Sequence, residues 1–197
     1  MTNQPDHVSG IIENEFLKLV KNRRSIRRFL PQSVEREKII TCIEAARLSP
    51  SAENVQPWRF MVLDDPEKIQ AFSQDVFSGI YRFTRWAEKS PVIIVIFAEL
   101  DWLANRVGKE IQGTQYFLLD VGIAGEHLVL QAEQLGLASC WIGWFNARKA
   151  RKFLGVPRRW KAAAILALGY PQQHIKERRP KKKLEEILFF NSYNSKK

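Results

Sequence analysis

Ser49-Pro50-Ser51-Ala52-Glu53-Asn54-Val55-Gln56-Pro57-Trp58-Arg59-Phe60 is the stretch whose reading decides the fold. It follows an amphipathic segment and leads into an alternating one, so it reads as a helix-to-strand loop. Pro50 and Pro57 disfavour helix at the residues before them and fix two bends. Between the bends, Ser51, Asn54 and Gln56 offer short polar side chains and neighbouring amides that can hydrogen-bond a planar heterocycle. Trp58 offers a large flat anchor. An ordinary connecting loop has a similar composition, and the stretch taken alone favours that plain reading.

Working outward, the next informative segment lies upstream, at Arg23-Arg24-Ser25-Ile26-Arg27-Arg28-Phe29. An amphipathic helix over 15–22 delivers it. Residues 23–28 hold five basic or hydroxyl groups. A phosphate dianion needs several converging donors, and arginine supplies a planar bidentate fork while serine adds a neutral donor. A solvated basic turn is the plain alternative. Downstream, Gly136-Leu137-Ala138-Ser139-Cys140-Trp141-Ile142-Gly143 reads as a helix stop followed by a strand that ends at Gly143. Near the C-terminus a basic stretch precedes Leu184-Glu185-Glu186-Ile187.

These four elements, in this order over about residues 16–193, resemble the nitroreductase family of flavin mononucleotide (FMN) enzymes. The resemblance implies an α+β fold, with a central, mostly antiparallel sheet flanked by helices, in an intertwined homodimer with two FMN sites at its interface. It divides the chain into a polar segment (1–13), an FMN-binding domain (14–175) and a C-terminal extension (176–197) docking on the partner subunit. Arg23 and Ser25, with Arg179 and Lys181, are implied as the phosphate cluster, and Arg24 as the support of the same turn by its backbone. Which of Arg178, Arg179, Lys181, Lys182 and Lys183 reach the phosphate stays open. Arg27 is implied at the ribityl and N1–C2 side. Pro50, Ser51, Asn54 and Gln56 belong to the loop that approaches the ring from the partner. Cys140, Trp141, Ile142 and Gly143 pass the N5 and C4-carbonyl side, where a backbone N–H can donate.

No side-chain acid or base is expected to be catalytic, because a flavin carries the chemistry and the protein supplies binding, orientation and electrostatics. The implied activity is two-electron, ping-pong transfer from NAD(P)H to a nitroaromatic, quinone or similar small electrophile. Reductive dehalogenation or flavin cleavage on the same fold is the alternative enzyme reading. A basic nucleic-acid-binding or flavin-storing protein is the non-enzyme reading.

Composition narrows these options. The 197 residues suit one domain with an extension, and 45% hydrophobic content supports a sizeable core. The net charge of +10 is concentrated in 21–28, 148–161 and 176–183, as in a phosphate-handling protein, and is weak support for nucleic acid. Two cysteines and three scattered histidines give neither a disulfide framework nor a metal motif. A reducing, cytoplasmic setting is expected, with no signal peptide and no membrane span; the longest wholly apolar run is only 92–98. No G-x-G-x-x-G, Walker loop or G-x-S-x-G elbow occurs, so NAD(P)H is expected to bind transiently over the flavin.

Periodicity predicts the remaining elements. Ser33 is a candidate cap for a helix over 34–48 whose buried stripe is Ile39, Ile40, Ile43 and Ala46, with Cys42 as a packing residue. Pro66 suits a first helical position. Residues 77–86 read as a helix packing Phe77, Tyr81, Phe83 and Trp86 on the core, or as a segment sending Arg85 to the flavin pyrimidine. Residues 91–98 read as a strand buried on both faces. Residues 99–114 are expected to be a connection able to cover a pocket. Residues 115–135 form the longest helical pattern, where Gly122 and Gly125 permit close packing at a dimer seam or within one chain. Asn146 is expected to cap a short helix, and 161–168 to form another apolar strand. Leu184, Ile187, Leu188, Phe189 and Phe190 make an apolar tail that must dock, on the partner or on its own chain.

Overall fold

A computed structural model of the chain describes residues 10–99, 115–173 and 179–193. Four strands, β1 (Trp58–Leu63), β2 (Val92–Glu99), β3 (Ala138–Ile142) and β4 (Trp160–Gly169), form one sheet in the order β1-β2-β4-β3. Every neighbouring pair is antiparallel, in line with the expected sheet. The side-chain alternation of β2 divides the interior in two. Val92, Ile94, Ile96 and Ala98 face one core, with Ile39, Cys42 and Ala46 of α2 (Arg36–Arg47) and Val121, Ala124 and Leu128 of α4 (Tyr116–Gln134). Ile93, Val95 and Phe97 face the other, with Ile69, Phe72 and Val76 of α3 (Pro66–Val76) and Ala150 of α5 (Ala147–Phe153). Helices therefore cover both faces, which is why β2 carries an unbroken apolar run. The short α1 (Glu15–Asn22) packs on α4.

Local chemistry starts most helices where expected. Asn14, Asp65 and Asn146 accept the Leu17, Lys68 and Lys149 amides at 2.8, 2.9 and 3.0 Å, and Pro66 opens α3. Helix α2 differs: it begins at Arg36, with Glu35 rather than Ser33 at the cap, and no side-chain cap bond forms. The Glu35 carboxylate is engaged elsewhere, accepting from the Tyr170 hydroxyl at 2.7 Å, which in turn accepts from Lys38 Nζ at 2.6 Å. The buried stripe of α2 is Ile39, Cys42 and Ala46, and Ile40 is 65% exposed in this chain.

The aromatic segment also departs from its expected form. It is a 3₁₀ run, Gly79–Lys89, and a three-residue period points Tyr81, Thr84 and Ala87 inward. Phe77 is buried ahead of it and Trp86 packs at its edge, but Phe83 lands on the neighbouring face, 79% exposed. Gly122 and Gly125 differ in their surroundings. A Cβ at Gly125 would meet Trp141 Cη2 at 2.1 Å, so this glycine serves packing within the chain, whereas Gly122 faces open space beside exposed Leu119 and Ile123. The tail makes a 3₁₀ turn, Leu184–Glu186, after which Ile187, Leu188, Phe189 and Phe190 remain exposed. Residues 100–114, expected to form a covering connection, lie outside the described residues. No helix among the described residues is long and apolar enough to cross a membrane.

Candidate functional site

The basic segment is an edge strip on β3. Ile26 N–H donates to Ser139 O at 3.0 Å, and Ser25 bridges Ser139 in parallel. Further along, Leu30 N–H donates to Tyr170 O at 2.9 Å and Gln172 N–H to Arg28 O at 3.1 Å. Ile26 and Phe29 are buried, and Ser25 and Arg27 on either side of Ile26 are exposed. Arg24 has a different role from its neighbours: its Nη1 donates to the carbonyls of Lys21, Asn22 (3.0 Å) and Arg23 (3.1 Å), closing the end of α1. Its side chain thus steadies the turn. Arg23 Nη1 lies 3.5 Å from Ser25 Oγ, and the Arg27 guanidinium stands 5.8 Å from the Trp86 ring centre. Among the described residues neither Arg23 nor Arg27 has a carboxylate partner, whereas Arg36, Arg47, Arg59, Arg85 and Arg159 each have one.

At the end of β3 the side chains turn inward. Cys140 and Ile142 are buried, and Trp141 packs under Gly125 of α4. Burial pushes the Cys140 thiol up, partly offset by the nearby charges of Arg27 and Arg23, so it stays a thiol and a packing group. What remains reachable is backbone: Gly143 is exposed, with nothing within 4 Å of where a Cβ would sit. Beyond it Trp144 donates its indole N–H to Ile80 O at 3.0 Å and leans on Tyr81. Arg85 is paired with Glu88 at 2.8 Å.

The 49–57 loop is held in an unusual conformation. Glu53, Asn54 and Gln56 have φ of 52°, 58° and 49°, the left-handed region, which is costly for side chains other than glycine and asparagine. Ser51 Oγ accepts the Gln56 amide at 3.0 Å, and Gln56 Nε2 donates to Asn54 O and Oδ1, both at 3.2 Å. Two charged groups tie the loop to the body. The Ala52 amide donates to Asp120 Oδ1 at 3.0 Å, and Arg59 Nη1 donates to Gln56 O at 3.0 Å while its Nη2 pairs with Glu99 at 2.6 Å. Pro50, Asn54 and Gln56 are exposed and Ser51 is half-buried. Trp58, expected as a flat anchor, is instead a core residue, because it is the first residue of β1 and points inward with Ala98. Asp120 and Arg59 escaped the sequence reading. For Asp120 one signal existed, a carboxylate on the otherwise apolar buried face of α4.

The predicted residues thus form two groups. Arg23, Ser25, Arg27 and Cys140 to Gly143 meet at the β3 edge. Pro50, Ser51, Asn54 and Gln56 precede β1 at the opposite edge. Three strand spacings separate the edges, about 14 Å across the sheet before any offset along the strands. Arg179 and Lys181 are exposed, and among the described residues no hydrogen bond or ion pair joins them to the strip. The donor set fits a flavin mononucleotide: arginines with no carboxylate partner among the described residues for a phosphate, and an open glycine backbone for a planar edge.

Residues 20–170 match the family model described as the Nitroreductase family. The chain is similar to an FMN-dependent nitroreductase from Clostridium difficile R20291, with 30% identity and a TM-score of 0.73, over 90% of this chain and 99% of that one. It is 28% identical to FMN reductase (NADPH) of Bacillus subtilis, over 92% of this chain and 75% of that protein. It is 27% identical to iodotyrosine deiodinase 1 of Rattus norvegicus, over 87% of this chain and 67% of that protein.

Proposed function

The chain belongs to the nitroreductase family, and from that premise we propose that it is an FMN-dependent oxidoreductase passing two electrons from NAD(P)H to a nitroaromatic, quinone or similar small electrophile. When bound, FMN supplies the two-electron carrier for both half-reactions. The chain supplies the rest. Arg23 and Ser25, joined by Arg179 and Lys181 of the C-terminal extension, hold the phosphate. Arg27 places a cation at the N1–C2 pole, where negative charge develops on reduction. The backbone at Cys140 to Gly143 offers a donor to the N5 and C4-carbonyl edge, and that donor gains value as charge grows there.

The observation that carries the reading is the division of the site between opposite sheet edges. A second copy of the chain completes it, bringing Pro50, Ser51, Asn54 and Gln56 against the strip of the first. The exposed Leu119, Gly122 and Ile123 face of α4 and the exposed tail supply apolar surface for such a homodimer. One shared pocket makes the kinetics ping-pong, since the oxidised nicotinamide leaves before the acceptor enters. The test has two parts. Purified protein is expected to be yellow, to release FMN, and to bleach with NAD(P)H under anaerobic conditions; varying donor and acceptor together is expected to give parallel reciprocal plots. A colourless protein refutes the flavin, and intersecting plots refute the shared pocket. The likeness to a deiodinase favours reductive dehalogenation as a second reading, which turnover of an iodinated phenol in place of the quinone would select.

A further inference from the structure

Asp120 is the only buried charged side chain among the described residues, 6% exposed on a helix face otherwise lined by Phe117, Val121 and Ala124. A carboxylate there needs a compensating donor, since an unsatisfied buried charge is costly. Its partner is the Ala52 amide, 3.0 Å away, at the entry of the 52–56 turn. That turn holds three left-handed residues that are not glycine, Glu53, Asn54 and Gln56. Such a conformation persists only where its surroundings over-determine it. Arg59 fixes the exit of the turn through Gln56 O, and Asp120 fixes the entry. Asp120 is also next in sequence to Leu119 and three residues from Ile123, on the exposed apolar flank of α4.

We propose that Asp120 is a positioning residue: it holds the 51–56 turn, through the Ala52 amide, in the conformation that meets the flavin bound to a second copy. This rests on the flavin reading above. Asp120 touches neither cofactor nor acceptor; it acts through the loop. A carboxylate suits the task because a charge-assisted hydrogen bond is shorter and stronger than a neutral one.

The test compares wild type, Asp120→Ala, Asp120→Leu and Asp120→Asn. The readouts are FMN affinity, by quenching of flavin fluorescence, and amide exchange of residues 51–56 in the flavin-free protein. Losing a charge-assisted bond is expected to weaken FMN binding about tenfold or more in the Ala and Leu variants and to speed exchange in the turn. Asn keeps a carbonyl oxygen at the same place and is expected to restore most of both. Leu fills the volume with an apolar group and serves if the Ala variant does not fold. A folded Ala or Leu variant that binds FMN as tightly as wild type overturns the inference. So does equal loss of affinity in all three variants, which marks general destabilisation. A wild type that binds no FMN overturns the functional reading, and this inference with it.

Discussion

Arg23 and Arg27 sit on one strip, yet the tasks proposed for them separate cleanly in an experiment. Arg23→Ala, or Lys181→Ala from the far end of the chain, removes a charge-assisted contact to the phosphate and should weaken FMN binding by about 10- to 100-fold with little change in the reduction potential. Titration of the flavin-free variants checks this, and unchanged dissociation constants in both contradict it. Arg27→Gln should instead lower the reduction potential, because a cation near N1–C2 favours the anionic reduced form. Spectroelectrochemistry measures the shift, and an upward one rules the placement out. At this scale residue type made the strip legible: four arginines and a serine around Ile26 can be read as an anion site without knowing any contact. Arg24 was the exception. The resemblance implies only backbone support from it, and the three carbonyls at the end of α1 take its guanidinium. Asp120 was not legible as a loop anchor, because its partner is a main-chain amide 68 residues away, and an amide carries no sequence label.

Among the elements, the strands were the most readable and the 3₁₀ segment the least. An unbroken apolar run such as 92–98 leaves little choice, since only a strand covered on both faces hides alternate residues in two cores. In Gly79–Lys89 the same aromatic residues satisfy periods of three and of nearly four, and only tertiary packing of Tyr81, Thr84 and Ala87 decides. The long helix α4 makes a sharper prediction through its two glycines. Gly125→Ala drives a methyl group into the Trp141 ring and should destabilise the fold by about 1–3 kcal/mol, a typical cost of overpacking. Gly122→Ala meets nothing within 4 Å and should stabilise an isolated chain by up to about 1 kcal/mol through helix propensity. If α4 is the seam between copies, the Gly122 variant should also dimerise more weakly, because the methyl group holds two helices apart. Chemical denaturation and sedimentation measured on both variants distinguish the two glycines. A Gly125→Ala protein as stable as wild type would contradict the packing.

For the whole molecule, the tail is an exposed apolar segment, with Phe190 76% accessible in the single chain. Ile187, Leu188, Phe189 and Phe190 follow the basic residues proposed for the phosphate, so under the proposed function one segment would serve both association and cofactor binding. Removing residues 184–197 should weaken the dimer and lower flavin occupancy together. Light scattering and the flavin-to-protein ratio on the same sample check this, and a truncated protein that stays dimeric and fully loaded contradicts it. Sequence pattern alone gave a mixed helix-and-strand chain. The strand order β1-β2-β4-β3, which sends the loop and the strip to opposite edges, was not readable from it, because antiparallel strands joined by long connections can be ordered in several ways. That separation carries a genetic consequence. Two chains, one disabled only in the strip and the other only in the loop, would each be inactive alone. Co-expressed, about half of randomly paired dimers would contain one of each, and every such pair would hold one intact and one doubly damaged centre, returning about a quarter of the wild-type activity. Complementation between two dead alleles is the outcome that a centre contained within a single polypeptide would not give.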